Sequence, residues 1–200
     1  MTNESVQIES TDSDRISQRK PKLPFLLVGV VILFACAGGG IWMYNQITLQ
    51  KPMQRVLLSD SRNAGIRVNV HFNHWIDNGV VVYDLRSVSA QSSQMDVFRV
   101  LLQYADAQKN HRYQRVALAA FGQPRLVIQG DYFQTVGQEY ETQNPVYTIR
   151  TFAHHVQSLD GAYPWPEPDG GLFWVLEQEM DQFGQLNKTW YLNDVAGRMH

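Results

Sequence analysis

Four residues between positions 131 and 160 have the side chains best suited to acid–base chemistry. Asp131, His154, His155 and Asp160 combine two carboxylates with two imidazoles, and with Tyr132 they would line one cleft if the fold brought them together. A histidine base oriented by a second group is a common hydrolase arrangement. No nucleophile elbow, phosphate-binding loop or dinucleotide-binding glycine pattern accompanies them. We keep them as the alternative active site of an envelope hydrolase or small-ligand-binding domain, and favour a non-catalytic protein.

The remaining histidines and the single cysteine do not form a metal-binding pattern. His71 and His74 are three residues apart on a predicted strand, so their side chains point to opposite faces. Cys36 lies inside an apolar segment, and one cysteine excludes both an intramolecular disulfide and a multi-cysteine zinc site. Because no known ligand spacing is present, the sequence predicts no metal and no cofactor.

A proline-rich loop is the candidate binding site. Residues 163–168 (YPWPEP) place proline at alternate positions, which favours extended backbone that cannot join the interior of a sheet. We select Tyr163, Trp165, Glu167 and Asp169 because aromatic side chains on a rigid backbone serve as anchors in protein interfaces. The alternative is that Trp165 packs beneath its own loop, and the sequence does not decide between the two interpretations.

An uncharged segment of 22 residues, 23–44, is long enough to cross a bilayer as a helix. Trp42 and Tyr44 stand at its outer end, and four Lys or Arg residues lie within residues 15–22 before it. We expect a single-pass anchor in the inner (plasma) membrane, with a cytoplasmic N-terminus and an extracytoplasmic C-terminal domain, periplasmic if the cell is Gram-negative. Cleavage after Ala37 and lipidation at Cys36 are alternatives that stay open.

The predicted domain organisation has four parts. Residues 1–22 form a polar cytoplasmic tail with the composition of a disordered segment, and residues 23–44 form the transmembrane helix. Residues 45–62 form a juxtamembrane linker that contains a short helix. Residues 63–195 form the extracytoplasmic α+β domain.

Hydrophobic periodicity predicts the fold class: α+β, with a single N-terminal transmembrane helix followed by a small mixed β-sheet domain with three helices. Alternating residues over 65–75 and β-forming residues over 79–88, joined by Asp77-Asn78-Gly79, predict an antiparallel hairpin. A helix over 93–109 followed by a strand over 112–121 resembles a βαβ crossover, in which the strands it connects are parallel.

The second half of the domain has weaker signals. It comprises a strand over 125–129, a helix capped by Asp131 and ending at Glu141, a fifth strand over 146–152 and a helix over 172–191. The last helix carries an apolar stripe that we expect to face the core: Phe173, Leu176, Met180, Phe183, Leu186 and Trp190.

Charge is unevenly divided along the chain. Residues 51–130 contain ten bases and five acids, whereas residues 131–181 contain one base, Arg150, and nine acids. Unless the two parts interleave in space and cancel, this asymmetry favours head-to-tail self-association or a charged partner. The net charge of −2 gives no reason to expect nucleic acid. We therefore predict a membrane-anchored interaction module whose partner is an envelope protein or a second copy of the chain.

Overall fold

The computed structural model describes residues 23–198. The predicted tail, 1–22, lies outside the described residues, and so do the four basic residues that set the expected orientation. The described residues divide into two compact units, 23–38 and 39–198. Helix α1 spans Leu23–Asn45 and exposes its side chains from residue 27 to residue 44. It is long and apolar enough to cross a membrane, although a signal sequence near an N-terminus has the same properties.

The helix continues through most of the segment interpreted as a linker. One π-type turn, Gln46–Gln50, leads directly into α2, Lys51–Ser59. Leu49 and Met53 are fully buried in the core cluster of the domain, and Gln50 accepts a hydrogen bond from the backbone N–H of Val70 at 2.7 Å. These residues are therefore built into the second compact unit rather than connecting to it loosely.

A five-stranded mixed sheet forms the centre of the domain. Its strands are β1 (Ile66–Asn73), β2 (Asp77–Val88), β3 (Arg115–Ala120), β4 (Gln123–Gln129) and β5 (Val156–Ser158), and they lie side by side in chain order. Strands β2 and β3 are parallel and the other neighbouring pairs are antiparallel. The predicted hairpin, the predicted parallel pair and the mixed α+β class are confirmed.

Helix α3, Gln94–Ala107, makes the crossover between the two parallel strands. It starts with the predicted capping box, in which Ser93 Oγ accepts from the backbone N–H of Asp96 and the Asp96 carboxylate accepts from the backbone N–H of Ser93. Hydrogen bonds that the Ser93 backbone N–H and hydroxyl donate to the carboxylate, followed by one from Arg99, lower the pKa of Asp96 to about 2. The capping box and the buried apolar face together position the helix over the sheet.

The hairpin turn differs from the prediction. Asp77-Asn78-Gly79 begin β2, and Asn73 pairs with Asp77 across the ladder. The turn is made by His74 and Trp75, whose φ angles of 47° and 68° lie in the left-handed region that residues other than glycine rarely adopt. Because the Trp75 carbonyl accepts a hydrogen bond from the Asn45 side chain, a contact distant in sequence overrides the local Asn-Gly signal.

Residues 145–152 form a helix, and the strand predicted over 146–152 is wrong. Helix α5 spans Pro145–Phe152, where Asn144 accepts a hydrogen bond from the backbone N–H of Val146 at 2.9 Å and proline occupies the first turn. This start signal outweighs the strand preference of the β-branched side chains, and the burial of Phe152 against Phe98 of α3 stabilises the result. The fifth strand is β5, which the sequence analysis missed.

Three further helices complete the domain: α4 (Gly130–Glu139), α6 (Leu172–Asn187) and α7 (Asn193–Arg198). Asp131 lies in the first turn of α4 rather than at its cap position, which Gln129 occupies without a side-chain hydrogen bond. Within the described part of the chain, five α-helices therefore follow residue 63, where three were predicted.

The core lies on one face of the sheet. Alternate strand residues such as Val81, Tyr83 and Leu118 pack in one cluster with apolar side chains of α3, α4 and α6, whereas the smaller cluster of Val82, Ala117 and Ala119 lies on the opposite face. Helix α4 approaches α3 closely because position 137 is glycine: a Cβ there would lie 2.2 Å from the Ala105 carbonyl oxygen. The helices therefore lie mainly on one side, and their outer surfaces become the candidate sites.

Candidate functional site

The first half of helix α6 exposes an apolar surface, which we call the α6 surface. Phe173 is 85% exposed, Leu172 72% and Trp174 55%. Large apolar side chains that gather in one exposed patch are unusual for a soluble surface and mark interaction sites. The α6 surface comprises five residues: Leu172, Phe173, Trp174, Leu176 and Met180.

The prediction that the whole stripe of this helix faces the core is therefore wrong for its first half. Phe183, Leu186 and Trp190 are buried as predicted, but Phe173 is not. One signal in the sequence could have shown this, because residues 172–176 (LFWVL) are five consecutive apolar residues. At 3.6 residues per turn they cover every side of a helix, so one face of the core cannot bury them all.

Two glycines set the start of the α6 surface. Gly171 occupies the N-cap position of α6 and accepts a hydrogen bond from the backbone N–H of Val175 at 3.0 Å. Gly170 has a φ of 131°, where a side chain would be strained, and a Cβ there would lie 2.9 Å from the Trp174 ring. The chain can therefore reverse immediately before the helix and hold Trp174 over the turn.

The proline-rich loop is fastened to α6. Trp165 is buried, and its indole N–H donates to Gln185 Oε1 at 3.2 Å, while Gln182 Nε2 donates to the carbonyl of Pro166 at 3.0 Å. Of the two interpretations of Trp165, the structure therefore supports packing over an exposed anchor. The other three predicted binding residues, Tyr163, Glu167 and Asp169, are exposed in the loop that precedes the α6 surface.

The surroundings of the α6 surface are acidic. No lysine or arginine occurs between Arg150 and Lys188, and Glu177 and Asp181 are exposed on the helix. Glu179 differs because it is buried and accepts a hydrogen bond from Arg150 Nε at 2.5 Å, which ties α6 to α5. The result is an apolar surface with uncompensated carboxylates beside it.

The alternative active-site residues have separate hydrogen-bond partners. His154 Nε2 bonds to Gln182 Oε1 at 2.9 Å, whereas Asp160 accepts from Ser158 Oγ and from the backbone N–H of Ala162. Asp131 is exposed in the first turn of α4. No hydrogen bond or ion pair joins any two of the four predicted residues.

Of the four predicted residues, His155 lines the groove between α4 and α5. A groove of about 250 Å³ between α4 and α5 contains His155, Tyr132, Glu139 and Tyr147. The His155 and Tyr132 rings stack with their centroids 3.9 Å apart. Burial lowers the pKa of His155 and raises that of Tyr132, so both side chains are neutral near pH 7. Both residues belong to the set that was predicted to line one cleft, but their neighbours in the groove are different ones.

A larger cavity is lined by hydroxyl groups but by no charged or histidine side chain. About 580 Å³ of space lies near the start of α3, lined by Ser89, Ser92, Ser93 and Gln94 together with apolar side chains and Tyr191. No carboxylate, lysine, arginine or histidine lines it, and burial raises the pKa of Tyr191 to about 12. Within residues 23–198, no group of three or more His, Cys, Asp or Glu side chains is arranged to hold a metal ion.

No protein-family model matches this chain, and no curated protein or solved structure shows significant similarity to it. The candidate function therefore depends on the residues and their geometry. The most distinctive geometry is the exposed apolar patch of α6.

Proposed function

We propose that this protein is a single-pass, membrane-anchored interaction module of the cell envelope, without catalytic activity. Its N-terminus lies in the cytoplasm and its α+β domain outside it, in the periplasm if the cell is Gram-negative. The observation that supports an interaction role is the α6 surface, which leaves Phe173 and its neighbours exposed to water. A domain that is otherwise well packed keeps such a surface only at a cost in solubility, so a partner that covers it explains it.

The proposed orientation depends on charge near the membrane segment. Four Lys or Arg residues lie within residues 15–22, directly before the apolar segment. Positive residues are retained on the cytoplasmic side, whereas a long C-terminal domain crosses largely regardless of its charge. An uncleaved helix α1 would then hold the domain at the outer face of the membrane.

The chemistry of the α6 surface indicates what kind of partner fits. Its aromatic side chains suit an apolar groove, and the carboxylates of Glu177 and Asp181 suit a basic rim. We propose an envelope protein with an apolar groove bordered by Lys or Arg. A second copy of the chain is the alternative partner, because four neighbouring strands each expose an arginine: Arg67 and Arg115, and Arg86 and Arg125, which also pair with Asp84 and Asp194.

In-cell photo-crosslinking tests the proposal. A benzophenone amino acid replaces Phe173 in the tagged, full-length protein, and the same probe replaces exposed Gln91, in the connection between β2 and α3, as the control. We expect one dominant adduct from position 173 and none from position 91. An adduct with a second copy identifies self-association, and equal diffuse labelling at both positions would contradict the proposal.

A matched substitution separates binding from folding. Trp174→Lys introduces a charge that repels a basic rim and removes an aromatic anchor, so we expect the adduct at position 173 to disappear. Because Trp174 is more than half exposed, the melting temperature should change little. If the substitution unfolds the domain, Trp174 supports the fold and the α6 surface is not primarily a binding surface.

A second candidate function follows from the groove between α4 and α5. A neutral His155, stacked on Tyr132 in the groove that also contains Glu139, could act as a general base in ester hydrolysis. The same groove could instead bind a small ligand without catalysis. Hydrolysis of a panel of small esters and amides by the full-length protein tests it. Activity lost in His155→Gln but kept in the exposed control His111→Gln would support this function over the non-catalytic one.

A further inference from the structure

The tip of the β1–β2 hairpin exposes apolar side chains. Trp75, one of the two turn residues with left-handed backbone, is 42% exposed, and Ile76, the next residue, is 70% exposed. His71 stacks on the Trp75 ring at 5.2 Å with nearly parallel planes, which holds the indole in one orientation. A strained turn that presents an isoleucine and a tryptophan to solvent is a feature that the α6 surface does not explain.

Asn45 joins this tip to the last turn of the apolar helix. Its side-chain amide donates to the carbonyls of Ile41 and Trp75, at 3.0 and 2.9 Å, and its oxygen accepts from the backbone N–H of Phe72 at 2.7 Å. The side chain is buried, so these hydrogen bonds are protected from water. Stacking of Tyr44 on Phe72 at 5.4 Å adds a second contact, and the tip is held beside residues 41–45.

A groove of about 410 Å³ lies between the tip and the helix. Gly40, Ile41 and Tyr44 line one side of it, and Trp75, Ile76 and Asn78 lie on the other. Position 40 is glycine, and a Cβ built there would meet no atom within 4 Å, so this side of the groove is open along the helix. The groove begins where the uncharged segment ends, with tryptophan and tyrosine rings around it.

We propose that the hairpin tip is a second membrane contact, which lies in the interface of the bilayer with a phospholipid acyl chain in this groove. The tip adjoins the exposed apolar residues 41–44 at the end of α1, which require the same surroundings if the helix spans the bilayer. Tryptophan and tyrosine favour the headgroup region, where one edge of the ring is wet and the rest is not. The contact holds the domain in one orientation on the membrane.

The composition of the tip makes the contact independent of lipid charge. Residues 73–79 (NHWIDNG) contain no lysine or arginine and one aspartate, Asp77. Anionic headgroups therefore have no lysine or arginine to attract at the tip. The inference goes beyond the interaction role of α6, and it depends on the uncleaved anchor rather than on any protein partner.

Fluorescence in bilayers tests the inference. The full-length protein with Cys36→Ser carries Ile76→Cys, labelled with the polarity-sensitive dye NBD, in nanodiscs of phosphatidylcholine with or without phosphatidylglycerol. The matched control is Leu58→Cys, which is 86% exposed and 13 residues beyond Asn45, roughly 20 Å further along the helix. Neither labelled side chain is part of the core, so the fold should be kept.

We expect a blue-shifted NBD emission at position 76 and at least a twofold stronger quenching by shallow doxyl-labelled lipid than at position 58. The two lipid mixtures should give the same result. Emission typical of water at position 76, or equal quenching at the two positions, would overturn the inference. So would an intact mass showing that residues 1–37 are absent from the protein in cells, because the helix would then be a signal sequence.

Discussion

The two halves of α6 carry similar apolar side chains in opposite surroundings. In the second half, Phe183 packs edge-on against Phe98 of α3 and Leu186 is fully buried, while Trp190, in the following turn, packs on Tyr83 of β2. In the first half, Phe173 is almost fully exposed. The difference shows that an apolar stripe identifies the side chains of a helix that favour burial. It does not show whether other elements of the same chain cover them.

The change between the two halves occurs at Glu179. This carboxylate is buried and paired with Arg150 of α5, one residue before exposed Met180 and four before buried Phe183. Helix α5 therefore supports α6 at its middle. We therefore expect substitutions in the buried half of α6 to destabilise the fold and substitutions in the exposed half to leave its stability unchanged.

The largest effect is expected from Trp190→Ala. The side chain is fully buried and its indole N–H donates to the Ala119 carbonyl at 3.1 Å, so truncation leaves a cavity and an unpaired acceptor. We expect the free energy of unfolding to fall by about 3–5 kcal/mol. Phe173→Ala is the control, with a change within about 0.5 kcal/mol. Similar losses in the two variants, measured by urea denaturation, would remove the distinction between the halves.

A smaller effect is expected from Trp165→Ala. The ring is 6% exposed and fastens the proline-rich loop to α6, so its removal should cost about 3 kcal/mol. Trp165→Phe keeps most of the packing and loses the hydrogen bond to Gln185, at about 1 kcal/mol. A melting temperature that stays unchanged in Trp165→Ala would instead make Trp165 a binding residue, as the other interpretation of the loop requires.

Arg150 and Glu179, which pair where the exposed and buried halves of α6 meet, should behave as a buried ion pair. Arg150→Met leaves the Glu179 carboxylate buried without its cation, and we expect a loss of about 2 kcal/mol, less than for a fully buried pair because a quarter of Arg150 is exposed. The double variant Arg150→Met with Glu179→Leu should recover most of this loss. The single variant Glu179→Leu completes the comparison. If urea denaturation shows that the loss in the double variant equals the sum of the losses in the two single variants, the pair does not couple α5 to α6.

The smallest effect is a pH dependence that comes from His155. Burial, followed by the nearby charge of His154, lowers its pKa below the ordinary value of 6.5, while Glu167 opposes the shift. Protonation therefore favours the unfolded chain, and the contribution of His155 is fully present above pH 6.5 and is lost as pH falls below it. His155→Gln should show a flatter stability profile between pH 7 and 5 than the natural protein. Parallel profiles would contradict this assignment.

Several elements could be predicted because their signals are local. Alternation in β1, the Ser93–Asp96 capping box and the apolar run of α1 each involve residues within a few positions of one another. The order strand, helix, strand then requires parallel pairing of β2 with β3, since a right-handed crossover is the only common solution. For the same reason, five consecutive apolar residues at the start of α6 indicate that one face of the core cannot bury them all, but they do not show which of them are exposed.

Other features depend on contacts between distant parts of the chain. The hairpin turn lies at His74 and Trp75 rather than at the predicted Asp77-Asn78-Gly79, because the side chain of Asn45, thirty residues before Trp75, donates a hydrogen bond to the Trp75 carbonyl. Helix α5 replaced a predicted strand because its N-cap was supported by packing of Phe152 on α3. Neither the partners of His154 and Asp160 nor the stacking of His155 on Tyr132 could be obtained from spacing alone.

The amino-acid sequence by itself determined the apolar segment, the hairpin, the crossover unit and the acidic character of residues 131–181, because periodicity, capping and charge are properties of neighbouring residues. Only the tertiary structure decided that Trp165 is buried while Phe173 is exposed. Both are large aromatic residues in apolar stretches. Burial depends on which other elements reach them, and here Gln185 and the second half of α6 hold Trp165 while nothing in the described part of the chain covers Phe173.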